Sequence, residues 1–452
     1  MVIAAPASGN GKTTVATGLM AALRAAGLTV SGHKVGPDYI DPSYHALATG
    51  RPGRNLDPYL QAEERVVPLF LHGAAGADIA VVEGVMGLFD GALGSDGFAS
   101  TAHVARLIEA PVVLVVDASA AGRSAAAMVH GFATYDRSVT LAGVILNKVG
   151  SPRHETELRS AIEGLGVPVL GALHRTEGIH APSRHLGLVP VGERETEATA
   201  MLARLRAWVT EGVDLEAVRR VAAAAPHLLG VPWDPATALG AAEPRGSVVA
   251  AAGGRAFTFR YAENIELLTA AGVKVVDVDP ALDERLPEGC AGLYFGGGFP
   301  EMHAEDLSAN EALRAEVASA AARGLPVVAE CAGLTYLCRE LDGLPMAGVL
   351  DATAGMTPKR TLGYRTARAV GDSVLASTGD TVTGHEFHRT AVTPARGEQA
   401  AWRWHDTADG FVTPTGVHAS YLHVHWAGHP ALARRFAASA TAAARAPRAS
   451  TA

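Results

Sequence analysis

Short runs of apolar residues recur along the first half of the chain, and each is followed by a segment with helical spacing. The runs are nearly continuous and rich in Val, Ile and Leu, which is typical of parallel strands covered on both faces of a sheet. They lie at residues 2–5, 79–82, 112–116, 142–146 and 167–170. This half therefore predicts an α/β fold built on a parallel sheet.

A second series of such runs begins at residue 248, so the chain predicts two α/β domains. Its 452 residues are enough for two or three domains. The segment between the two series is rich in Ala, Arg and Glu and then in Pro, which predicts one or two helices and a linker. We expect a first domain over 1–195, the helical segment and linker over 196–246, a second domain over 247–435, and a disordered tail over 436–452.

Composition excludes several classes of protein. The chain has 38 Lys and Arg against 46 Asp and Glu, a net charge of −8, which argues against nucleic acid as the main partner. Three cysteines are too few for a disulfide framework. No apolar run reaches the ~18 residues of a membrane span, and the N-terminus lacks the order of a signal peptide. We therefore expect a cytoplasmic protein that binds small molecules and neither nucleic acid nor membrane.

A glycine-rich loop follows the first predicted strand. In the segment Ala7–Thr14, Gly9 and Gly11 allow backbone N–H groups to turn toward phosphate oxygens at the start of a helix. Lys12 is expected to reach the outer phosphates of ATP. The Thr13 hydroxyl is expected to bind Mg²⁺, with Thr14 beside it. Pro6 occupies the first glycine position of the usual motif, so the entry to the loop departs from the common pattern.

Polar side chains stand where further strands end, which is the edge of a parallel sheet where ligands bind. Asp38 and Asp41 are three residues apart and suit contact with a metal or a substrate, although an ordinary turn is the alternative. Glu83 ends the run at 79–82 and is expected to hold Mg²⁺, and Asp90 is expected to contact substrate. Asn147 closes another strand and predicts either an adenine contact or a local cap.

A cysteine marks the candidate chemistry of the second domain. Cys331 follows a buried strand and begins a helix, which is the position of the nucleophile in an elbow. The N–H of Ala332 and those of Gly297 and Gly298 are candidates for an oxyanion site. A buried cysteine that serves only packing is the alternative. A cysteine nucleophile needs a base, and the candidates are four late histidines: His418, His423, His425 and His429.

Six segments together resemble the cobyrinate and hydrogenobyrinate a,c-diamide synthase family. In chain order they are KVGPDYIDP, VVEGVMGLFDG, RHLGLVP, FGGGFPE, AECAGLTYL and SYLHVHW. The resemblance implies an N-terminal domain of the P-loop NTPase type, similar to dethiobiotin synthetase, and a C-terminal class I glutamine amidotransferase domain with a flavodoxin-like fold. It implies ATP-dependent amidation of the a and c carboxylates of a corrin acid through an acyl phosphate, with glutamine or ammonia as donor and Mg²⁺ as cofactor. The assembly that we expect is a homodimer.

The resemblance also assigns residues. Cys331 is implied as the glutaminase nucleophile and His423 as its base, and His425 stands where other class I enzymes have Glu, which reduces a triad to a dyad. Nucleotide is expected at the loop and at Asn147. The residues implied for the acceptor site are Asp38, Tyr39, Ile40, Asp41, Glu83 and Asp90. The expected Mg²⁺ ligands are Thr13, Asp38 and Glu83.

Three other functions are compatible with parts of the pattern. A nickel-sirohydrochlorin a,c-diamide synthase shares most of the motifs, and cobyric acid synthase shares both domain types but amidates other carboxylates. A P-loop ATPase switch with a degenerate amidotransferase domain is the non-enzymatic alternative. A glutaminase assay separates that last function from the others, because a degenerate domain would release no glutamate.

Overall fold

The protein is described by a computed structural model that covers residues 1–176, 183–184, 187–240 and 246–446. The chain forms two compact units. The first contains Met1–Pro58 and Ala62–Trp233, and the second contains Tyr59–Gln61 and Asp234–Ala452. Each unit is built around its own sheet.

The first unit alternates strands and helices, as the apolar runs predict. Its strands are β1 Val2–Ala4, β2 Val30–Val35, β3 Arg54–Leu56, β4 Ile79–Glu83, β5 Val112–Asp117, β6 Leu141–Val149, β7 Val169–His174, β8 Ser183–Arg184 and β9 Gly187–Leu188. The helices up to residue 223 are α1 Lys12–Ala25, α2 Ile40–Thr49, α3 Pro58–Gln61, α4 Glu63–Ala74, α5 Thr101–Leu107, α6 Ser124–Tyr135, α7 Pro152–Glu163, α8 Glu195–Gly212 and α9 Leu215–Ala223.

Seven of these strands form one parallel sheet in the order β3-β2-β4-β1-β5-β6-β7. The run Val112–Val116 is fully buried, which explains why this strand is continuously apolar rather than alternating. On one face the sheet packs against α1 and α8, where Leu19, Leu23 and Val209 belong to one buried cluster. The sheet therefore fixes the carboxyl ends of β1, β2, β4 and β6, which carry the first candidate site.

The helices after residue 195 do not form a separate segment. Helix α8 packs against α1, and α9 contacts β4 and β7. The boundary between the units lies at Trp233 and Asp234, about 40 residues later than the end that the sequence predicts for the first domain. Buried Met201, Leu205 and Val209 lie four residues apart on α8, and this spacing is what attaches the helix to the first unit.

The second unit combines a mostly parallel sheet with a second, mostly antiparallel one. Its strands are β10 Val248–Ala252, β11 Lys274–Val278, β12 Cys290–Phe295, β13 Val327–Glu330, β14 Glu340–Leu341, β15 Leu344–Pro345, β16 Thr353–Ala369, β17 Thr381–Thr393, β18 Trp402–Trp404, β19 Thr407–Asp409, β20 Phe411–Val412, β21 Val417–Ser420 and β22 His423–Val424. Its helices are α10 Pro235–Leu239, α11 Ala262–Ala270, α12 Ala304–Ala309, α13 Glu311–Ala322, α14 Ala332–Leu337 and α15 Pro430–Arg445.

The register of the first of these sheets positions the second candidate site. Its order is β11-β10-β12-β13-β21-β20, and all pairs are parallel except β20 with β21. Glu330 pairs with Ser420 at the ends of β13 and β21. Residues that follow these two strands therefore emerge at the same edge of the sheet.

The end of the chain is more ordered than its composition predicts. The prediction of disorder from residue 436 is wrong for residues 436–445, because these belong to α15. Phe436, Ala437 and Ala440 are buried, since they share one helical face that packs against the sheet and α11. The last six residues, 447–452, lie outside the described part of the chain.

Within the described residues, no helix is both long enough and apolar enough to cross a membrane.

Candidate active sites

The phosphate loop lies between β1 and α1, as predicted. Gly9 and Gly11 have φ angles of 84° and 92°, a left-handed conformation that glycine adopts without strain. Gly11 precedes α1, and the first turn of this helix, Lys12 to Thr14, carries no acidic side chain. The N-terminus of α1 therefore has the polarity that an anionic phosphate requires.

Lys12 points back into the loop that follows β4. Its Nζ donates to the carbonyl of Met86 at 2.5 Å and to that of Ala7 at 3.5 Å. Burial, together with the nearby ammonium of Lys34, lowers the pKa of Lys12 to about 8. A phosphate beside this side chain would favour its charged form.

Asn147 ties the end of β6 to the phosphate loop. Its Nδ2 donates to the carbonyl of Asn10 at 2.9 Å, and a side chain at Gly11 would collide with the same amide. Next to it, Lys148 and Asp117 form an ion pair of 2.6 Å at the ends of β6 and β5. The amide of Asn147 thus holds the phosphate loop. The contact with adenine stays a prediction.

A buried group of charged and polar side chains lies directly behind the loop, and we call it the ionic cluster. It contains Thr13, Lys34, Asp41, His45 and Glu83. Lys34 Nζ lies 2.6 Å from Asp41 Oδ2 and 2.8 Å from Glu83 Oε1. Glu83 also accepts from Thr13 Oγ1 at 2.5 Å, and its other oxygen lies 2.7 Å from His45 Nε2.

The charges of this cluster stabilise one another. Burial by itself raises the pKa of Glu83, but Lys34 and His45 outweigh it and hold the pKa below its ordinary value. Burial opposes the charge of Lys34 as well, and Asp41 and Glu83 raise its pKa above the ordinary value. The single ammonium of Lys34 is shared by the carboxylates of Asp41 and Glu83. Burial and the neighbouring acids therefore raise the pKa of Asp41. An added cation would favour the ionised form of Asp41.

The structure brings Asp41, rather than Asp38, to the threonine of the phosphate loop. Thr13 Oγ1 donates to Asp41 Oδ2 at 3.2 Å. Asp38, two residues before α2, instead accepts the N–H groups of Ile40 and Asp41 at 2.8 and 3.0 Å. The expected metal ligand Asp38 is therefore replaced by Asp41 in the proposal below.

The other predicted acceptor residues surround this region. Tyr39 and Ile40 are buried at the start of α2. Asp90 is exposed, accepts the Gly87 N–H at 2.9 Å, and acts electrostatically on Lys12. Their contacts with substrate stay predictions. The motif RHLGLVP includes residues 185 and 186, which lie outside the described part of the chain.

Hard oxygen donors in this region fit a magnesium ion. The hydroxyl of Thr13 lies within hydrogen-bond distance of the carboxylates of Asp41 and of Glu83, and oxygen ligands of these types are the ones that Mg²⁺ prefers. Over the described residues, no group of three or more His, Cys, Asp and Glu side chains has the arrangement of a protein-only metal site.

Cys331 occupies the strained turn of a nucleophile elbow in the second unit. It lies between β13 and α14 with φ 50° and ψ −97°, a conformation that is uncommon for a residue with a side chain. Its N–H donates to the carbonyl of Ser420 at 2.8 Å. Burial and the nearby Glu301 raise the pKa of the thiol, and the N–H of Ala332 opposes that rise. The resting cysteine is therefore a thiol that needs a base.

The loop after β12 lies against the predicted base. A side chain at Gly297 would place its first carbon 2.3 Å from Cε1 of His423, so only glycine allows this approach. The N–H of Gly297 donates to the carbonyl of Phe259 at 3.0 Å. That group is already bonded, which contradicts its predicted place in the oxyanion site. Gly298 and Ala332 stay predicted oxyanion donors.

Among the four late histidines, the structure favours His423 as the base. It is buried beside Gly297, and its ring stacks on that of His385 at 5.0 Å. His418 and His429 are instead bonded to Ser373 and Thr383. Burial, with His385 and His388, lowers the pKa of His423 well below its ordinary value, so the ring is neutral and able to accept a proton.

Comparison with known proteins identifies both units. Residues 1–189 match the CobQ/CobB/MinD/ParA nucleotide binding domain, and residues 248–431 match the CobB/CobQ-like glutamine amidotransferase domain. The hydrogenobyrinate a,c-diamide synthase of Streptomyces coelicolor is 58% identical over 96% of each chain. That of Thermobifida fusca is 57% identical over 97% of this chain and 96% of its own. The chain belongs to the cobyrinate and hydrogenobyrinate a,c-diamide synthase family.

A further relative extends the family beyond the hydrogenobyrinate enzymes. The cobyrinate a,c-diamide synthase of Gloeobacter violaceus is 44% identical over 96% of each chain. Membership in this a,c-diamide synthase family confirms the resemblance drawn from the six motifs. It also confirms the predicted fold class: a P-loop domain built on a parallel sheet, followed by a class I glutamine amidotransferase domain.

Sequence reasoning missed three residues of these sites. Lys34 lies within one of the quoted motifs, and its ammonium is the cation of the ionic cluster. His45 lies one turn after Asp41 on α2, and this spacing was the signal that could have placed both on one helical face. Glu330 directly precedes the nucleophile, but the sequence carries no signal for its contact with His423, which depends on how β13 pairs with β21.

Proposed function

We propose that this protein converts the a and c carboxylates of hydrogenobyrinate to amides, with ATP as the energy source and glutamine as the nitrogen donor, in cobalamin biosynthesis. The observation that carries the proposal is one chain with a charged phosphate-loop site and a cysteine elbow. The relatives named as hydrogenobyrinate enzymes are 54–58% identical to this chain, against 38–44% for those named as cobyrinate enzymes. That difference favours the metal-free acid.

The second unit supplies ammonia. His423 removes the proton of Cys331, and the sulfur attacks the side-chain amide carbon of glutamine. The N–H groups of Gly298 and Ala332 stabilise the oxyanion. The carbon–nitrogen bond breaks, the leaving nitrogen takes the proton from His423, and a glutamyl thioester remains. Water then attacks the thioester, which releases glutamate and restores the thiol.

The first unit activates the acid. A carboxylate oxygen of the corrin attacks the γ-phosphorus of ATP, ADP leaves, and an acyl phosphate forms. Lys12 and the N-terminus of α1 hold the phosphates. Ammonia then attacks the acyl carbon and phosphate leaves, which gives an amide and, after loss of a proton, restores neutrality. The activation is needed because phosphate leaves readily, whereas oxide does not.

Thr13, Asp41 and Glu83 are the residues that would hold Mg²⁺. The ion, when bound, neutralises charge on the phosphate oxygens during phosphoryl transfer. Lys34 and His45 do not need to contact substrate for this, since they hold the two carboxylates in place. Cytoplasmic location and a homodimer stay predictions.

Mass spectrometry of the products tests the proposal directly. The purified protein is incubated with Mg-ATP, glutamine and either hydrogenobyrinate or cobyrinate, and ADP and glutamate are measured beside the pigment. We expect two carboxylate-to-amide conversions of hydrogenobyrinate, with ADP and glutamate formed in step. A protein that leaves hydrogenobyrinate unchanged, that amidates carboxylates other than a and c, or that forms ADP without any amide, would contradict it.

A further inference from the structure

A carboxylate lies beside the ring of His423, although the sequence lacks the usual acid. Oε2 of Glu330 is 3.9 Å from Nδ1 of His423. Both side chains are buried, with 4% and 0% of their surfaces exposed. Oε1 of Glu330 has no hydrogen-bond partner within the described residues. The carboxylate therefore has bonding capacity left and faces the nitrogen that does not serve the thiol in a Cys-His pair.

Strand pairing explains why Glu330 reaches this ring. Glu330 is the last residue of β13 and pairs in parallel with Ser420, the last residue of β21. His423 follows Ser420 by three residues. Glu330 and Cys331 are consecutive residues at a sharp turn, so their side chains leave the chain in different directions.

The residue at the usual position of the acid has another partner. His425 stands two residues after His423, where many class I enzymes have Glu. Its Nε2 is hydrogen-bonded to Nε2 of Gln61 at 2.9 Å and lies 3.5 Å from Glu263 Oε2, and its ring packs on Tyr261 at 4.2 Å. An imidazole at this position cannot supply the negative charge that stabilises a protonated His423.

We propose that Glu330 is a positioning residue that accepts the Nδ1–H of His423 and so replaces the acid missing at position 425. This inference rests on the roles proposed above for Cys331 and His423. The distance of 3.9 Å exceeds that of a hydrogen bond, and such contacts often shorten only when substrate is bound. Glu330 then holds the ring so that Nε2 receives the thiol proton, and its charge stabilises the imidazolium.

The charge of Glu330 depends on pH in the alkaline range. Burial raises the pKa of Glu330 to about 8, and the N–H of Val424 opposes part of that rise. Tyr294 and Cys331 also face this carboxyl, while His385 and His388 face His423. Since the ionised carboxylate is the active form, glutaminase activity is expected to rise with pH through this range.

The experiment compares Glu330→Gln with wild type, using glutamine and ammonium salts as alternative donors. The glutamine side chain introduced at position 330 keeps the shape of the glutamate and removes its charge. We expect kcat with glutamine to fall by about 10- to 100-fold, because Glu330 only assists the base and loss of the base itself typically costs about 10²-fold or more. KM for glutamine should change little. The rate with ammonia is expected to stay at the wild-type value, and the alkaline rise in glutaminase activity is expected to disappear.

Asp409→Asn is the matched control. Asp409 is a buried carboxyl of the same unit, but its carboxylate accepts the backbone N–H of Tyr421 at 3.0 Å. We expect this variant to keep the wild-type ratio of glutamine-dependent to ammonia-dependent rates.

Two results would overturn the role of Glu330. One is a Glu330→Gln enzyme with wild-type glutaminase activity and pH profile. The other is an equal loss with both donors that persists in Glu330→Asp, because that pattern means a structural role. Cys331→Ala separates this failure from failure of the proposed function. If that variant still hydrolyses glutamine, Cys331 is not the nucleophile, whatever the role of Glu330.

Discussion

The site of the first unit buries a charged pair, Lys34 and Glu83, whereas the site of the second unit buries groups that burial keeps neutral. In the first, Lys34 is held between Asp41 and Glu83, and its ammonium stays charged. In the second, burial raises the pKa of Cys331 and of Glu330 and lowers that of His423. Each of these last three shifts favours the uncharged form.

The difference corresponds to the chemistry proposed for each unit. A site that receives Mg-ATP and a polyacid must already hold charge of both signs, because these ligands arrive charged. A site that receives glutamine, whose amide is neutral, develops charge only during the attack on the amide. Its groups therefore begin neutral and exchange a proton when substrate is present.

The largest effect is expected when the nucleophile of the neutral site is removed. Cys331→Ala should lower glutamine-dependent synthesis by about 10⁴-fold or more, the scale of nucleophile removal in other hydrolases. Synthesis with ammonia should persist, because the first unit does not use the thiol. Rates with both donors are measured at saturating ATP. If ammonia fails to support the variant, the two sites do not divide the reaction as proposed.

The next largest effect is expected in the ionic cluster. Glu83→Gln leaves Lys34 and His45 buried without their shared carboxylate, which should destabilise the fold by about 3–5 kcal/mol. Synthesis should fall by about 10³-fold with glutamine and with ammonia alike. Denaturant unfolding and both rates are the measurements. Glu63→Gln, at a half-exposed carboxylate of the same unit, is the control, and an equal loss in that variant would contradict the prediction.

The two aspartates of the first unit should respond differently to magnesium. Asp41→Asn removes a carboxylate beside Thr13 and should raise the Mg²⁺ concentration for half-maximal activity by about tenfold or more. Asp38→Asn should not shift that concentration, since an asparagine oxygen can accept the same two N–H groups at the start of α2 with little loss of stability. Titrations of Mg²⁺ at fixed ATP test this. Equal shifts in the two variants would restore Asp38 as a ligand.

The smallest effect concerns stability rather than activity. Burial raises the pKa of Asp409 from 3.8 to about 7, so the folded protein keeps a proton that the unfolded chain loses. Between these values the contribution of Asp409 to the free energy of unfolding falls as pH rises, by up to about 4 kcal/mol. Asp409→Asn should remove that fall, and the difference in unfolding free energy from wild type is measured from pH 4 to pH 7. A difference that does not change with pH would contradict it.

Local patterns predicted the fold well and its boundaries less well. The continuously apolar runs identified the parallel strands because sheets covered on both faces need no polar alternation. The tail was predicted as disordered from its Ala and Arg content. Its buried residues, Ala433, Phe436, Ala437 and Ala440, repeat at helical spacing, which was a readable signal.

Contacts within the sites depended on geometry that the sequence does not carry. Asp38 precedes α2 and Asp41 lies in its first turn, so the exact start of the helix decides which one reaches Thr13. The contact of Glu330 with His423 depends on the register of two strands about 90 residues apart in the chain. Motifs name the residues of a site, whereas tertiary pairing decides which neighbours they have.

The close approach of Gly297 to His423 also has a consequence for how the source of nitrogen could be controlled. One methyl group added at this position would collide with the imidazole of His423 and displace it. This single substitution would be enough to impair the use of glutamine. Such a protein would depend on free ammonia in its surroundings. A host carrying this variant would make cobalamin in ammonia-rich medium and lack it elsewhere. A single codon would thus make cobalamin synthesis depend on the ammonia supply.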